Sequence, residues 1–171
     1  TNLKFYVFEG INPNDITPIR STTSAGDVTF AATSGSATLV VTDTAHGAAK
    51  DDFVTFSDAA TLNGNITAAV LNQEYQIASV TSANAYTISA KDTSGNSVSA
   101  SGSDNGNGGS STVGAYQITT GLNSYVSASG WGSNPWGDST WGSGSSIGVS
   151  GQLRLYSQDN FGEDLIFNAR G

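Results

Sequence analysis

Few residues in this chain are of types that could do chemistry. The single imidazole is His46, in the run Asp43-Thr44-Ala45-His46-Gly47-Ala48. An imidazole is the usual base of a Ser/His/Asp triad, so nucleophilic catalysis of that kind would have to use it. Followed directly by Gly47, it reads instead as a turn histidine whose ring nitrogens bond nearby backbone. Two adjacent acid pairs, Asp51-Asp52 and Glu163-Asp164, have the residue types of a glycosidase. On a strand, neighbouring side chains point to opposite faces, so neither pair converges on a substrate by itself. The run Asp104-Asn105-Gly106-Asn107-Gly108-Gly109 offers oxygen ligands on a glycine-rich turn, as calcium sites do. It has one carboxylate and no downstream glutamate at the EF-hand spacing, and it reads as a flexible loop. No catalytic residue, cofactor or metal is expected.

Recognition chemistry is better represented. All three tryptophans fall on a five-residue beat, Trp131-Gly132, Trp136-Gly137 and Trp141-Gly142, within Gly/Ser-rich sequence. Gly/Ser-rich sequence alone would be a flexible linker, but each indole carries a large apolar area that favours burial. Residues five apart on an extended strand face opposite ways, so a flat stacking platform for sugars or bases would need a turn at each Trp-Gly. The segment is read as one that orders by pinning its indoles against protein. Trp131, Trp136, Trp141 and, further on, Phe161 are the expected interface anchors.

The elements that would carry these residues are strands. The chain has 171 residues, 21 of them glycine, and 12% are charged. That length allows one domain with a core or two small ones. Sustained helical periodicity is absent, and β-branched and aromatic residues come in short clusters between turn residues, which points to an all-β fold. Extended pieces are expected over 3–8 and 15–20, with a turn over 9–14 between them, and Pro18 restricts the second to an edge or a strand end. Further strands are expected over 28–32, 37–42, 53–57, 74–80, 85–90, 97–101 and 115–119. Tyr75 and Ile77 share one face, as do Tyr86 and Ile88, which is the period-two pattern of half-buried antiparallel strands. A short helical turn is an option over 67–72, and 101–112 reads as a flexible loop. Strands return over 152–157 and 164–168. The expected architecture is an antiparallel β-sandwich or small barrel over 23–120, a Gly/Ser/Trp-rich segment over 121–151, and strand pairs at 1–22 and 152–171. Because the chain begins at Thr1 in strand-like sequence, it is also read as a piece of a longer polypeptide.

Charge excludes some functions. Fourteen acids against six bases give a net charge of −8, and the bases Lys4, Arg20, Lys50, Lys91, Arg154 and Arg170 are scattered. No basic stripe exists to hold nucleic-acid phosphates. No apolar run approaches membrane-spanning length. With no cysteine, the chain has neither a disulfide framework nor a thiolate metal site.

Certain motifs carry a resemblance. They are Asn2-Leu3-Lys4-Phe5-Tyr6-Val7-Phe8, Asp15-Ile16-Thr17-Pro18-Ile19-Arg20, the Trp-Gly repeats, and the stretch from Leu153 through Asp159-Asn160-Phe161-Gly162-Glu163-Asp164-Leu165-Ile166. Together they resemble virion structural proteins of tailed bacteriophages that contain a propeller-like domain. The middle, with His46-Gly47-Ala48, Asp52-Phe53-Val54-Thr55-Phe56-Ser57 and Leu71-Asn72-Gln73-Glu74-Tyr75-Gln76-Ile77, resembles a β-domain of phage tail and fibre proteins. The resemblance implies propeller-like strand pairs flanking an inserted β-domain. The implied role is non-enzymatic, in the virion: a tail nozzle or hub ring built of several copies, contacting other tail or portal-adaptor proteins and passing DNA without binding it specifically. The alternatives are a glycan- or receptor-binding fibre module and a capsid decoration protein. An adhesin repeat fits the composition but not the end motifs.

Overall fold

Alternation of apolar with small polar side chains writes most of the central strands. In β4 (Thr29–Ala32), β5 (Thr38–Thr42), β6 (Phe53–Ser57) and β9 (Ala85–Ser89), every second residue is buried: Phe30 and Ala32, Leu39 and Val41, Val54 and Phe56, Tyr86 and Ile88. Their neighbours are mostly Thr and Ser, which suit the exposed side of a pleated sheet. The computed structural model describes residues 4–62, 64–119, 155–162 and 164–170. They fall into two compact units, Lys4–Thr119 and a second that holds the described residues 155–162 and 164–170.

The core of the first unit lies between two antiparallel sheets. In one, the spatial order is β10 (Asp104–Asn107), β4, β5, β9, β8 (Ser79–Ser82). The other runs β3 (Ile19–Thr22), β11 (Val113–Gln117), β6, β7 (Glu74–Gln76). Register aligns the buried residues in rows. Phe30 opposes Val41, which opposes Tyr86; Ala32 opposes Leu39, which opposes Ile88. In the second sheet Tyr75, Val54 and Tyr116 form a row, and Phe56 faces Gly114. Aromatic contacts then join the sheets. The Phe30 and Phe56 rings meet edge-to-face at 4.9 Å, and the Tyr86 and Tyr116 rings at 6.2 Å. The sheets do not close, so of the two expected architectures the chain adopts the sandwich and not the barrel.

Several elements depart from the sequence expectation. The stretch 74–80 is two strands, because the chain crosses from one sheet to the other at the buried Ile77. Its N–H donates to Asp52 O at 2.9 Å, while the next N–H, of Ala78, donates to Thr87 O at 2.9 Å in the opposite sheet. The segment expected as a loop over 101–112 contains β10, which pairs with β4. Over 97–101 the only ladder contact is an isolated bridge between Lys91 and Ser97. The expected helical turn is α1 (Ala68–Leu71), capped by the Thr67 hydroxyl, which accepts from Val70 N at 3.4 Å, and it buries Val70 and Leu71.

Two-stranded hairpins complete the described residues. β1 (Tyr6–Glu9) pairs with β2 (Asn12–Asp15) in the first unit, and β12 (Leu155–Phe161) pairs with β13 (Asp164–Arg170) in the second.

Candidate interaction surfaces

The first hairpin lies where a turn was expected over 9–14. Its reversal takes only Gly10 and Ile11, with Gly10 at φ +64°, a conformation glycine adopts without penalty. Pro13 is tolerated because of its register. Ile16 N–H donates to Phe5 O at 2.9 Å, which marks Phe5/Ile16 as a hydrogen-bonded pair. By alternation Phe8/Pro13 is a non-bonded pair. The N–H that proline lacks would therefore have pointed away from β1, and no ladder bond is lost.

A half-buried lysine fixes the base of this hairpin. Lys4 Nζ contacts Asp15 Oδ2 at 2.6 Å and Glu74 Oε1 at 2.5 Å, and stands 4.6 Å from the centre of the Phe53 ring. Gln117 Nε2 donates to the same Glu74 at 2.9 Å, and Thr17 Oγ1 accepts from Phe5 N at 2.9 Å. Burial works against the Lys4 charge, yet the hydrogen bonds to Asp15 and Glu74 outweigh it and raise the lysine pKa. Asp15 is likewise opposed by burial, and is held below the usual carboxylate range by Lys4 and Thr17.

Beyond that anchor the hairpin is open. Phe8 is 67% exposed and Ile11, at the tip, 92%. Tyr6, Phe8 and Pro13 share one face by alternation. Phe161 ends β12 opposite Asp164 and is 76% exposed, with Ile166 54% exposed on β13. Single exposed apolar residues are ordinary, but a hairpin this short needs further strands or a packed face for independent stability. Trp131, Trp136 and Trp141 lie outside the described residues, as does Glu163.

The residues with catalytic chemistry are placed differently. His46 is buried, Ala48 N–H donates to its Nδ1 at 3.0 Å, and its Nε2 lies 3.2 Å from Ser82 O. Since Nδ1 accepts, the proton sits on Nε2 and donates to Ser82. Both nitrogens are thus held by backbone, and the ring stacks edgewise on Tyr86 at 5.0 Å. Arg20 Nη1 and Nη2 donate to Gly47 O at 2.7 Å and His46 O at 3.2 Å, closing the loop from outside. Asp51 and Asp52 diverge: Asp51 takes a left-handed φ of 72°, while buried Asp52 accepts from Ala49 N at 2.9 Å and Thr119 Oγ1 at 3.0 Å.

Sequence reasoning missed the buried polar chain beside His46. Tyr86 O–H donates to the Tyr116 oxygen at 2.9 Å, and Tyr116 O–H donates to Asp43 Oδ2 at 2.6 Å. Burial pushes both phenols up; at Tyr86 the hydrogen bond to Tyr116 opposes this, whereas at Tyr116 its neighbours Tyr86 and Asp43 add to it. Tyr86 was legible as a residue of a half-buried strand face and Tyr116 only as part of an expected strand, and their joint partner lies far away in sequence.

No protein-family model matches this chain, and no curated protein does. Among solved structures, a phage phi92 endosialidase aligns over 60% of this chain and 13% of its own, with 16% identity and a TM-score of 0.44. The aligned region is thus a small part of that protein. At such a TM-score, what this chain does has to be argued from its own residues.

Proposed function

We propose that this chain is a non-enzymatic structural part of a tailed-phage virion, a subunit of a tail nozzle or tail-tube ring. The observation that carries this reading is the pair of antiparallel hairpins that expose Phe8, Ile11, Phe161 and Ile166 without covering strands among the described residues. Surfaces of that kind are completed by neighbouring polypeptide, and aromatic side chains are enriched at such contacts. The sequence resemblance at both chain ends and the Trp-Gly beat support the same role, with Trp131, Trp136, Trp141 and Phe161 as anchors between copies and toward other tail or portal-adaptor proteins. A net charge of −8 suits a wall past which DNA slides without adhering. Engagement of both His46 nitrogens by backbone removes the chain's one imidazole from general-base work.

Cryo-electron microscopy of the particle that carries this chain tests the proposal. A symmetric ring around the DNA channel, with the anchors at subunit contacts, is the expected result. A position at a fibre tip or on the capsid shell would overturn it in favour of glycan recognition or shell decoration.

A further inference from the structure

The two outer edges of the first hairpin are not equivalent. On β2 the outward positions are Pro13 and Asp15, and Pro13 has no N–H to offer, which blunts that edge against further pairing. On β1 the outward positions are Tyr6 and Phe8. Their N–H and C=O groups face away from β2, and no hydrogen bond engages them among the described residues. No proline or lysine interrupts Tyr6-Val7-Phe8-Glu9. It is an edge of the kind that accepts an added strand.

We propose that β1 pairs with β1 of a second copy of this chain, antiparallel about a two-fold axis at Val7. The strand is complementary to itself in that register. Tyr6 falls opposite Phe8 of the copy and Phe8 opposite its Tyr6, each as a hydrogen-bonded pair, so the outward N–H and C=O groups of both residues are satisfied on both strands. Val7 meets Val7 in the non-bonded position between them. The aromatic residues become cross-strand neighbours on the face that Pro13 shares, an arrangement that favours pairing. Charges do not collide: Glu9 faces Phe5 of the copy, and Lys4 is held by Asp15 and Glu74. The tip residue Ile11, 92% exposed, comes level with the base of the other hairpin. The result is a continuous four-stranded sheet, β2-β1-β1-β2, with the blunted edges outermost. Such a contact is isologous and joins copies in pairs, whether free protomers or two facing rings. It stands on the strand edge alone, independently of the virion reading.

The absence of native cysteine makes the test direct. In the full chain, Val7→Cys places two thiols across a non-bonded pair, with Cα atoms about 4.5 Å apart, inside the roughly 4.4–6.8 Å span of disulfides. Under mild oxidation a disulfide-linked dimer is expected at least tenfold faster than for Thr42→Cys, an exposed control site on β5. By sedimentation, the unmodified chain is expected at twice the monomer mass. Phe8→Pro, which removes an outward N–H while leaving the bonds to β2 intact, is expected at monomer mass with unchanged circular dichroism. Cross-linking of Val7→Cys no faster than the control would overturn the pairing, as would a Phe8→Pro chain that still dimerises. A larger cyclic oligomer without the Val7→Cys cross-link would overturn it too, and would leave the ring proposal standing.

Discussion

The Tyr116 hydroxyl donates to Asp43 Oδ2 at 2.6 Å inside the sandwich, joining an inner strand of one sheet, β11, to the loop that leaves β5 in the other. Removing that donor leaves a buried carboxylate short of a partner. Tyr116→Phe should lower unfolding free energy by about 1–3 kcal/mol, read by urea denaturation with an unchanged slope. The raised phenol pKa values of Tyr86 and Tyr116 add a pH signature. Unfolded tyrosines ionise from about pH 10, whereas the folded ones stay neutral. Stability is therefore fully present below that range and declines as pH rises above it. Tyr116→Phe should show a shallower alkaline decline.

Gly108 tests the strand found where a loop was expected. It takes φ +82°, and a Cβ there would lie 2.7 Å from Phe30 Cδ2. Gly95 takes φ +87° with open space around it. Gly95→Ala should cost the backbone penalty alone, about 1–2 kcal/mol. Gly108→Ala should cost about 1–3 kcal/mol more, from forcing the buried Phe30 ring aside. Deleting residues 104–109 would remove the β10 pairing with β4 and should lower the melting temperature by many degrees, where a free loop would have left it almost unchanged.

Lys4 holds the first hairpin by its base. Lys4→Met should raise hydrogen-exchange rates of amides 6–15 while amides of β5 and β9 stay protected, since those strands lie in the core. In the unmodified protein the same amides should lose protection under acid. The Asp15 pKa is lowered, so its contribution is present above the ordinary carboxylate range and lost as pH falls through its folded value. The Lys4 pKa is raised, so the anchor persists to the top of the ordinary lysine range and fails only as pH rises through the folded value.

Trp136→Ala separates assembly from folding. The anchoring role proposed for the Trp-Gly segment requires that the variant lose higher-order association, measured by sedimentation or particle incorporation. The unfolding transition of the sandwich should stay within about 0.5 kcal/mol of the parent. Equal losses in both would count against anchoring.

How much of this could be read from the chain depended on locality. Alternation put Tyr75 with Ile77 and Tyr86 with Ile88 on shared faces, and all four are buried, while 53–57 matched β6 at both ends, because period two is written within five residues. What depends on distant partners was not legible. Residues 104–107 look like a glycine-rich loop and become a strand only because β4 offers them an edge. The stretch 74–80 changes sheet at Ile77, where the apolar positions shift phase from Tyr75 and Ile77 to Ala78 and Val80, a break in alternation that was not read as a crossing. The hairpin Tyr6–Asp15 was masked by Pro13 and the asparagines around it, residues that usually mark turns and here lie exposed on a paired strand. His46 was read as a turn residue bound to nearby backbone, which holds for Nδ1 and Ala48, whereas the Nε2 partner Ser82 and the neighbours Tyr86, Tyr116 and Arg20 could not be assembled without the fold.

The place of β11 has a consequence for synthesis. It is the last strand of its unit to be made, yet it lies between β3 and β6, pairing Gln117 with Ile19 on one side and Tyr116 with Val54 on the other. Until it emerges from the ribosome, two strands of that sheet face a gap, and the row of Tyr75, Val54 and Tyr116 lacks its final member. Pairing over such sequence separations is slow, because loop closure must come before the contacts that reward it. The unit therefore folds late, after translation of its whole length, and the nascent chain carries an open slot one strand wide that only its own last segment fills.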